Sequence, residues 1–207
     1  MESLSDARVF RRGFDHIKKS DRVLGRVLER HGIIEFKPEG DLFESLVESI
    51  LSQQLAAPAA NTIIAKVRSF YPGGRLDAER IFRTPPQRLR SAGVSPQKLS
   101  YLKDLSSRVS KGRIELESLR TMDDDEIIRT LDEVRGIGPW TVHMLLIFTL
   151  GRPNVLPVDD LAIKKGVQGV YSLKEMPRPA EIERLGERWR PFRTVASLYL
   201  WRQRHDN

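Results

Sequence analysis

Two carboxylates stand side by side in LPVDDLAIKK, Leu156–Lys165, between an apolar run and a pair of lysines. A carboxylate fixed at such a place can stabilise positive charge developing on a reacting carbon, and it can align or deprotonate a water molecule. It can also simply cap a helix, because Asp accepts hydrogen bonds from first-turn amides. The sequence offers both roles and two residues, Asp159 and Asp160, to fill them. Asp159, just ahead of LAIKK, stands where such a cap is expected.

A second stretch, VRGIGPWTVHML, has glycines at 136 and 138 flanking one apolar residue, and Pro139 opens the next helix. Glycine permits a sharp turn and close backbone approach, and proline has no N–H to lose in a first helical turn. Amides aimed outward from such a turn suit an anion such as phosphate. Asp160 follows Gly136 by twenty-four positions. A third stretch, SILSQQLAAPAA, puts Gln53 and Gln54 at the end of an apolar helix, just before a turn of small residues.

These segments need elements to hold them, and the 207-residue chain suffices for one large compact domain or two small lobes. Apolar residues recur at helical spacing almost throughout and alternation of period two is scarce, so the fold class is all-α, about a dozen short helices. Ser20 is expected to cap DRVLGRVLERH. DLFESLVESILSQQ and PAANTIIAKVRSFY follow, then PPQRLRSAG ending at Gly93, and SPQKLSYLKDLSSRVSKG opened by Ser95 and closed by Gly112. Acidic DDDEIIRTLDEVRG carries carboxylates in its first turn, where the helix dipole favours them. RSAGVSPQKLSYL and EVRGIGPWTVHML echo one another as helix, glycine turn and proline start, an arrangement that unrelated helix joints also share.

Lys and Arg number 35 against 28 Asp and Glu, which favours a polyanionic partner. With no cysteine, disulfides, Cys-ligated zinc and iron–sulfur clusters are excluded. Of the four histidines, His16, His31, His143 and His205, no two share a metal-ligand spacing. The N-terminal stretch lacks the apolar core of a secretory signal, and no run reaches the roughly 18 apolar residues of a membrane span. An intracellular protein located with its partner is expected.

Together, ESILSQQLAAPAA, the KLSYLKDL helix, the GIGPWT hairpin, LPVDDLAIKK and ERWRPFRTVASLYLW resemble the helix-hairpin-helix superfamily of DNA glycosylases. Within it they resemble the alkylpurine (3-methyladenine) branch, in a compact form lacking an N-terminal sheet domain. The resemblance implies a two-lobed fold with a central cleft: a helical barrel over 41–157 containing the hairpin, and a second lobe of 1–40 plus 158–207. It implies a monofunctional enzyme of base excision repair that hydrolyses the N-glycosidic bond of alkylated purines in double-stranded DNA and leaves an abasic site. Asp160 is then the catalytic carboxylate.

Lyase members carry a lysine where this chain has Trp140, so strand cleavage is not expected. Trp140 and Trp201 become walls for an extruded base, with Met144 lining the floor. A flipped base stacks on such surfaces, and an electron-rich indole favours a cationic purine. Gln54 matches the side chain that enters the gap left by the extruded nucleotide, beside Gln53. The amides of Gly136, Ile137 and Gly138, with Thr141 and Lys98, become phosphate contacts. The resemblance also implies a monovalent cation, Na+ or K+, on the main-chain carbonyls of Asp132, Val134 and Ile137, with no required cofactor and a monomeric protein. The rival readings are a non-catalytic helix-hairpin-helix DNA-binding module and a glycosylase for oxidised or mismatched bases.

Overall fold

The computed structural model describes residues 2–203, which contain twelve α-helices, three short 3-10 turns and no strand. In chain order the helices begin with α1 (Ala7–Ser20), α2 (Arg22–His31), α3 (Leu42–Ser52) and α4 (Ala57–Arg68). Next come α5 (Ala78–Arg83), α6 (Pro86–Ser91), α7 (Pro96–Ser110) and α8 (Asp124–Asp132). The last four are α9 (Pro139–Phe148), α10 (Leu161–Val170), α11 (Pro179–Gly186) and α12 (Arg193–Gln203). The all-α expectation holds. His205 lies outside the described residues.

The chain divides into two compact units, one of residues 40–145 and the other of 1–39 and 146–207. The second boundary therefore falls inside α9, not at 157. The reason is that the segment after Leu145 is bound to the chain's two ends. The Leu4 amide donates to the Gly151 carbonyl at 2.7 Å, and the Glu39 amide to that of Phe148 at 3.0 Å. Val155 N–H donates to Thr194 Oγ1 at 2.9 Å.

In the unit of residues 40–145, α3 is the central helix. Leu42, Phe43, Leu46, Val47, Ile50 and Leu51 are all buried, each contributing about 1.5–3 kcal/mol of apolar burial. Helix α7 packs against α3, α5 and α6. Ser95 caps α7 by accepting from the Lys98 amide, as its sequence position suggests. Gly93 and Gly136, the glycines of the two echoing segments, both have positive φ, +96° and +78°.

In the other unit, α12 is almost wholly enclosed and packs against α1, α2 and α10. The cap of α2 is Asp21, not Ser20, which is the last residue of α1. Asp21 outcompetes serine because its carboxylate serves more donors at once. One oxygen accepts from the Val23 and Leu24 amides, each at 3.1 Å. The other accepts from the Tyr171 hydroxyl and from Trp189 Nε1 at 3.0 Å. Arg188 lies 3.8 Å away.

Burial by itself pushes the Asp21 carboxyl up, but the bonds from Tyr171, Trp189 and the Leu24 amide outweigh it and hold the group below the ordinary Asp value. A depressed folded-state value means the stabilisation is fully present above the unfolded pKa of about 3.9 and is lost as pH falls through the folded value. Asp21→Asn should lower stability at neutral pH by about 2–4 kcal/mol, since an amide nitrogen would face donors. Urea unfolding followed from pH 7 to pH 3 should show a shallower decline for the variant than for the parent.

Candidate functional site

Asp160 is the N-cap of α10, with extended backbone (φ −64°, ψ 124°). Its Oδ1 accepts from the Ile163 amide at 2.8 Å and from the Trp201 indole N–H at 3.0 Å. This corrects the expected division of labour, because Asp159 does not cap the helix. The Asp159 side chain is exposed and lies 3.5 Å from Lys164 Nζ. The same carboxylate that sits over the helix N-terminus is thus also oriented by an indole from α12. The partial positive charge of the helix end and the fixed indole dipole stand behind it.

Trp201 is half-buried, and its ring stacks on Phe148 with centroids 5.6 Å apart and planes at 25°. Phe36 meets Phe148 edge-on at 6.0 Å, and Phe10 stands 6.3 Å beyond Phe36. Phe148 is 42% exposed, so the stack presents an aromatic surface beside Asp160 rather than a sealed core. Sequence reasoning missed Phe36 and Phe148. The spacing of Phe148, four residues past Met144, was the available signal. Trp189 and Tyr199, by contrast, are fully buried in packing roles.

In the unit of residues 40–145, Trp140 stands in the first turn of α9 with 41% of its surface exposed, and Met144, one turn on, is half-buried. The turn between α8 and α9 closes with the Val134 amide on the Leu131 carbonyl at 3.0 Å and the Ile137 amide on that of Val134 at 3.1 Å. Of the three amides expected to meet phosphate, that of Ile137 is therefore already engaged. Gly136 is required by the fold: a Cβ there would come within 2.1 Å of the Tyr101 ring, and φ is +78°. Gly138 differs from expectation. Its φ is not in the left-handed region, and a Cβ there would meet nothing within 4 Å.

Gln53, Gln54, Lys98 and Tyr101 line, with the hairpin residues, one concavity of about 400 Å³ that also includes Asp132, Val134 and Ile137. Gln54 is exposed and has φ +57°, a conformation that non-glycine residues seldom hold without cause. The Gln53 amide donates to the Gly136 carbonyl at 2.7 Å. Lys98 also has a structural partner. It donates to the Leu51 carbonyl at 2.7 Å, completing the C-terminal end of α3, and burial pulls its pKa down. Thr141 is only 2% exposed, its side chain turned into the packed interior, so a phosphate contact from its hydroxyl is not supported. Among the described residues no group of three or more His, Asp or Glu is placed to hold a metal ion.

The family model for HhH-GPD superfamily base excision DNA repair proteins matches residues 47–191. The chain belongs to this superfamily. The matched stretch of this HhH-GPD protein takes in both glutamines, the hairpin, Trp140 and Asp160, and Trp201 lies just beyond it. The chain is 32% identical over 203 residues to DNA-3-methyladenine glycosylase 1 of Schizosaccharomyces pombe, covering 97% of itself and 87% of that relative. Among solved structures it is similar to the S. pombe 3-methyladenine DNA glycosylase in complex with abasic DNA. The TM-score is 0.85 at 31% identity, with 92% of this chain and 95% of that one covered. It is also similar to a DNA-3-methyladenine glycosidase of Bacillus halodurans, with TM-score 0.83, 32% identity and coverage of 91% and 87%.

The two hairpin glycines should respond differently to a methyl group. Gly136→Ala should cost roughly 3 kcal/mol, because it combines a backbone penalty with a clash against an aromatic ring. Gly138→Ala should stay within about 1 kcal/mol of the parent in the same urea titration.

Proposed function

We infer that this HhH-GPD protein is a monofunctional DNA glycosylase acting on alkylated purines, 3-methyladenine foremost, in duplex DNA. It hydrolyses the N-glycosidic bond and leaves an abasic site. The observation that carries the reading is Asp160, held by the Ile163 amide and the Trp201 indole, in a chain 32% identical to a DNA-3-methyladenine glycosylase.

Breaking a purine N-glycosidic bond builds positive charge on the sugar. A carboxylate already oriented by two donors stabilises that charge without reorganising, and it can direct a water molecule to the same carbon. A purine alkylated at N3 or N7 is already cationic, so it leaves with little help from an acid, and one carboxylate suffices. Trp140, with Met144 one turn on, and, in the other unit, Trp201, stacked on Phe148, are each an aromatic face on which an extruded cationic base can stack.

Gln54 enters the duplex where the nucleotide has left, and the amides of Gly136 and Gly138 hold the phosphate backbone. Asp132, Val134 and Ile137 line one concavity, and their main-chain carbonyls are neutral oxygens, a donor type suited to Na+ or K+, which would neutralise phosphate charge there. On this reading the protein acts as a monomer, in whatever compartment holds its DNA.

Two experiments test this reading. Methylated genomic DNA incubated with the protein should release free 3-methyladenine, measured by chromatography of the supernatant. Asp160→Asn keeps an oxygen that can accept from Ile163 and Trp201, so it should fold and bind DNA, yet base release should fall about 10³-fold, roughly 4 kcal/mol. Near-parental excision by the variant would remove Asp160 from the mechanism.

Trp140 occupies the position of a lyase lysine, so borohydride present during turnover should trap no covalent protein–DNA adduct on a denaturing gel. A strong adduct band would contradict the monofunctional assignment.

A further inference from the structure

Helix α7 is fastened to two separate pieces of the 40–145 unit. To the end of α3 it sends Lys98, whose ammonium donates to the Leu51 carbonyl at 2.7 Å. To the hairpin it presents the Tyr101 ring, against which Gly136 packs, and Asp104, whose Oδ2 accepts from the Arg135 amide at 3.0 Å. Arg108 links Asp104 to Glu133 at 3.2 and 3.1 Å. The third side of the triangle is a single bond. Gln53, the C-cap of α3, donates from Nε2 to the Gly136 carbonyl at 2.7 Å across 83 residues of sequence.

The residue after Gln53 is Gln54, exposed and left-handed. A non-glycine residue in that conformation costs about 1–2 kcal/mol and persists only where its surroundings dictate it. The local backbone bonds are long: Gln53 N to Ile50 O is 3.4 Å and Leu55 N to Ser52 O is 3.2 Å. The 2.7 Å amide–carbonyl bond is the shorter and better tether.

We propose that Gln53 is a positioning residue and not a DNA contact: it is a strut that ties the turn carrying Gln54 to the hairpin. Seating of a phosphate on the hairpin and entry of Gln54 into the duplex then become one coupled event. The inference rests on the glycosylase reading and deepens it. A strut and a phosphate ligand differ in what their loss does. Losing a phosphate contact weakens binding to every duplex alike. Losing the strut leaves general affinity in place and weakens only the step in which Gln54 is inserted.

The test uses a duplex carrying a tetrahydrofuran abasic analogue with 2-aminopurine next to it, whose fluorescence rises on unstacking. Excision of 3-methyladenine is followed in parallel under single-turnover conditions. Gln53→Met keeps length and packing but removes the donor. Gln53→Glu places a carboxylate against the same carbonyl. Both should bind undamaged duplex within about twofold of the parent, while insertion and excision fall about tenfold, as should those of Gln54→Ala.

The double variant Gln53→Met with Gln54→Ala should be no worse than Gln54→Ala alone, because the strut acts through the residue it holds. Additive losses near a hundredfold, weakened binding to undamaged duplex, or parental behaviour of Gln53→Met would each overturn the proposal while leaving the glycosylase reading intact. A parent that neither releases base nor raises fluorescence would remove that reading and the strut with it.

Discussion

The hairpin depends on one steric constraint, the approach of the Gly136 backbone to the Tyr101 ring. Nothing larger than hydrogen fits there, and the positive φ excludes a side chain a second time. With that contact made, the Arg135 amide reaches Asp104 and the Gly136 carbonyl reaches Gln53. The glycine is therefore less a hinge than a packing surface. What looks in sequence like freedom is used as closeness, and the turn is held by α7 from one side and by the end of α3 from the other.

The carboxylate pair shows a comparable economy. Capping and catalysis compete in the sequence reading, as though one aspartate had to serve each. In the fold a single oxygen of Asp160 accepts from the helix amide and from the indole, so the bond that starts α10 is also the one that aims the carboxylate. The neighbour, Asp159, is left on the surface beside Lys164. An N-cap has fixed backbone geometry, and it supplies an orientation that a carboxylate in a loop would lack.

What could be read in the sequence is what local physics controls. Apolar spacing of 3.6 residues marks the helices, Ser95 marks a start, and Gly93 and Gly136 take the left-handed backbone that their positions suggest. What could not be read depends on distant partners. Ser20 and Asp21 are equally good caps on paper, and only the arrival of Tyr171 and Trp189 decides between them. Trp201 reaches Asp160 across 41 residues. Lys98 has the charge of a phosphate ligand but spends it on the end of α3. Thr141 lies on the enclosed side of α9, a phase that helical periodicity cannot fix when nearly every residue of that helix is apolar. The boundary at 145 rather than 157 follows from contacts with Leu4, Glu39 and Thr194, which no scan along the chain would anticipate.

The bent backbone at Gln54 bears on how the protein meets its partner. A flexible tip would have to be ordered at the moment of encounter, and the entropy lost would be subtracted from affinity. Here the unfavourable torsion is accepted once, when the chain folds. On the role proposed for Gln54, the probe would reach the double helix already shaped, and the binding energy that ordering would have consumed would remain to separate one nucleotide from its neighbours.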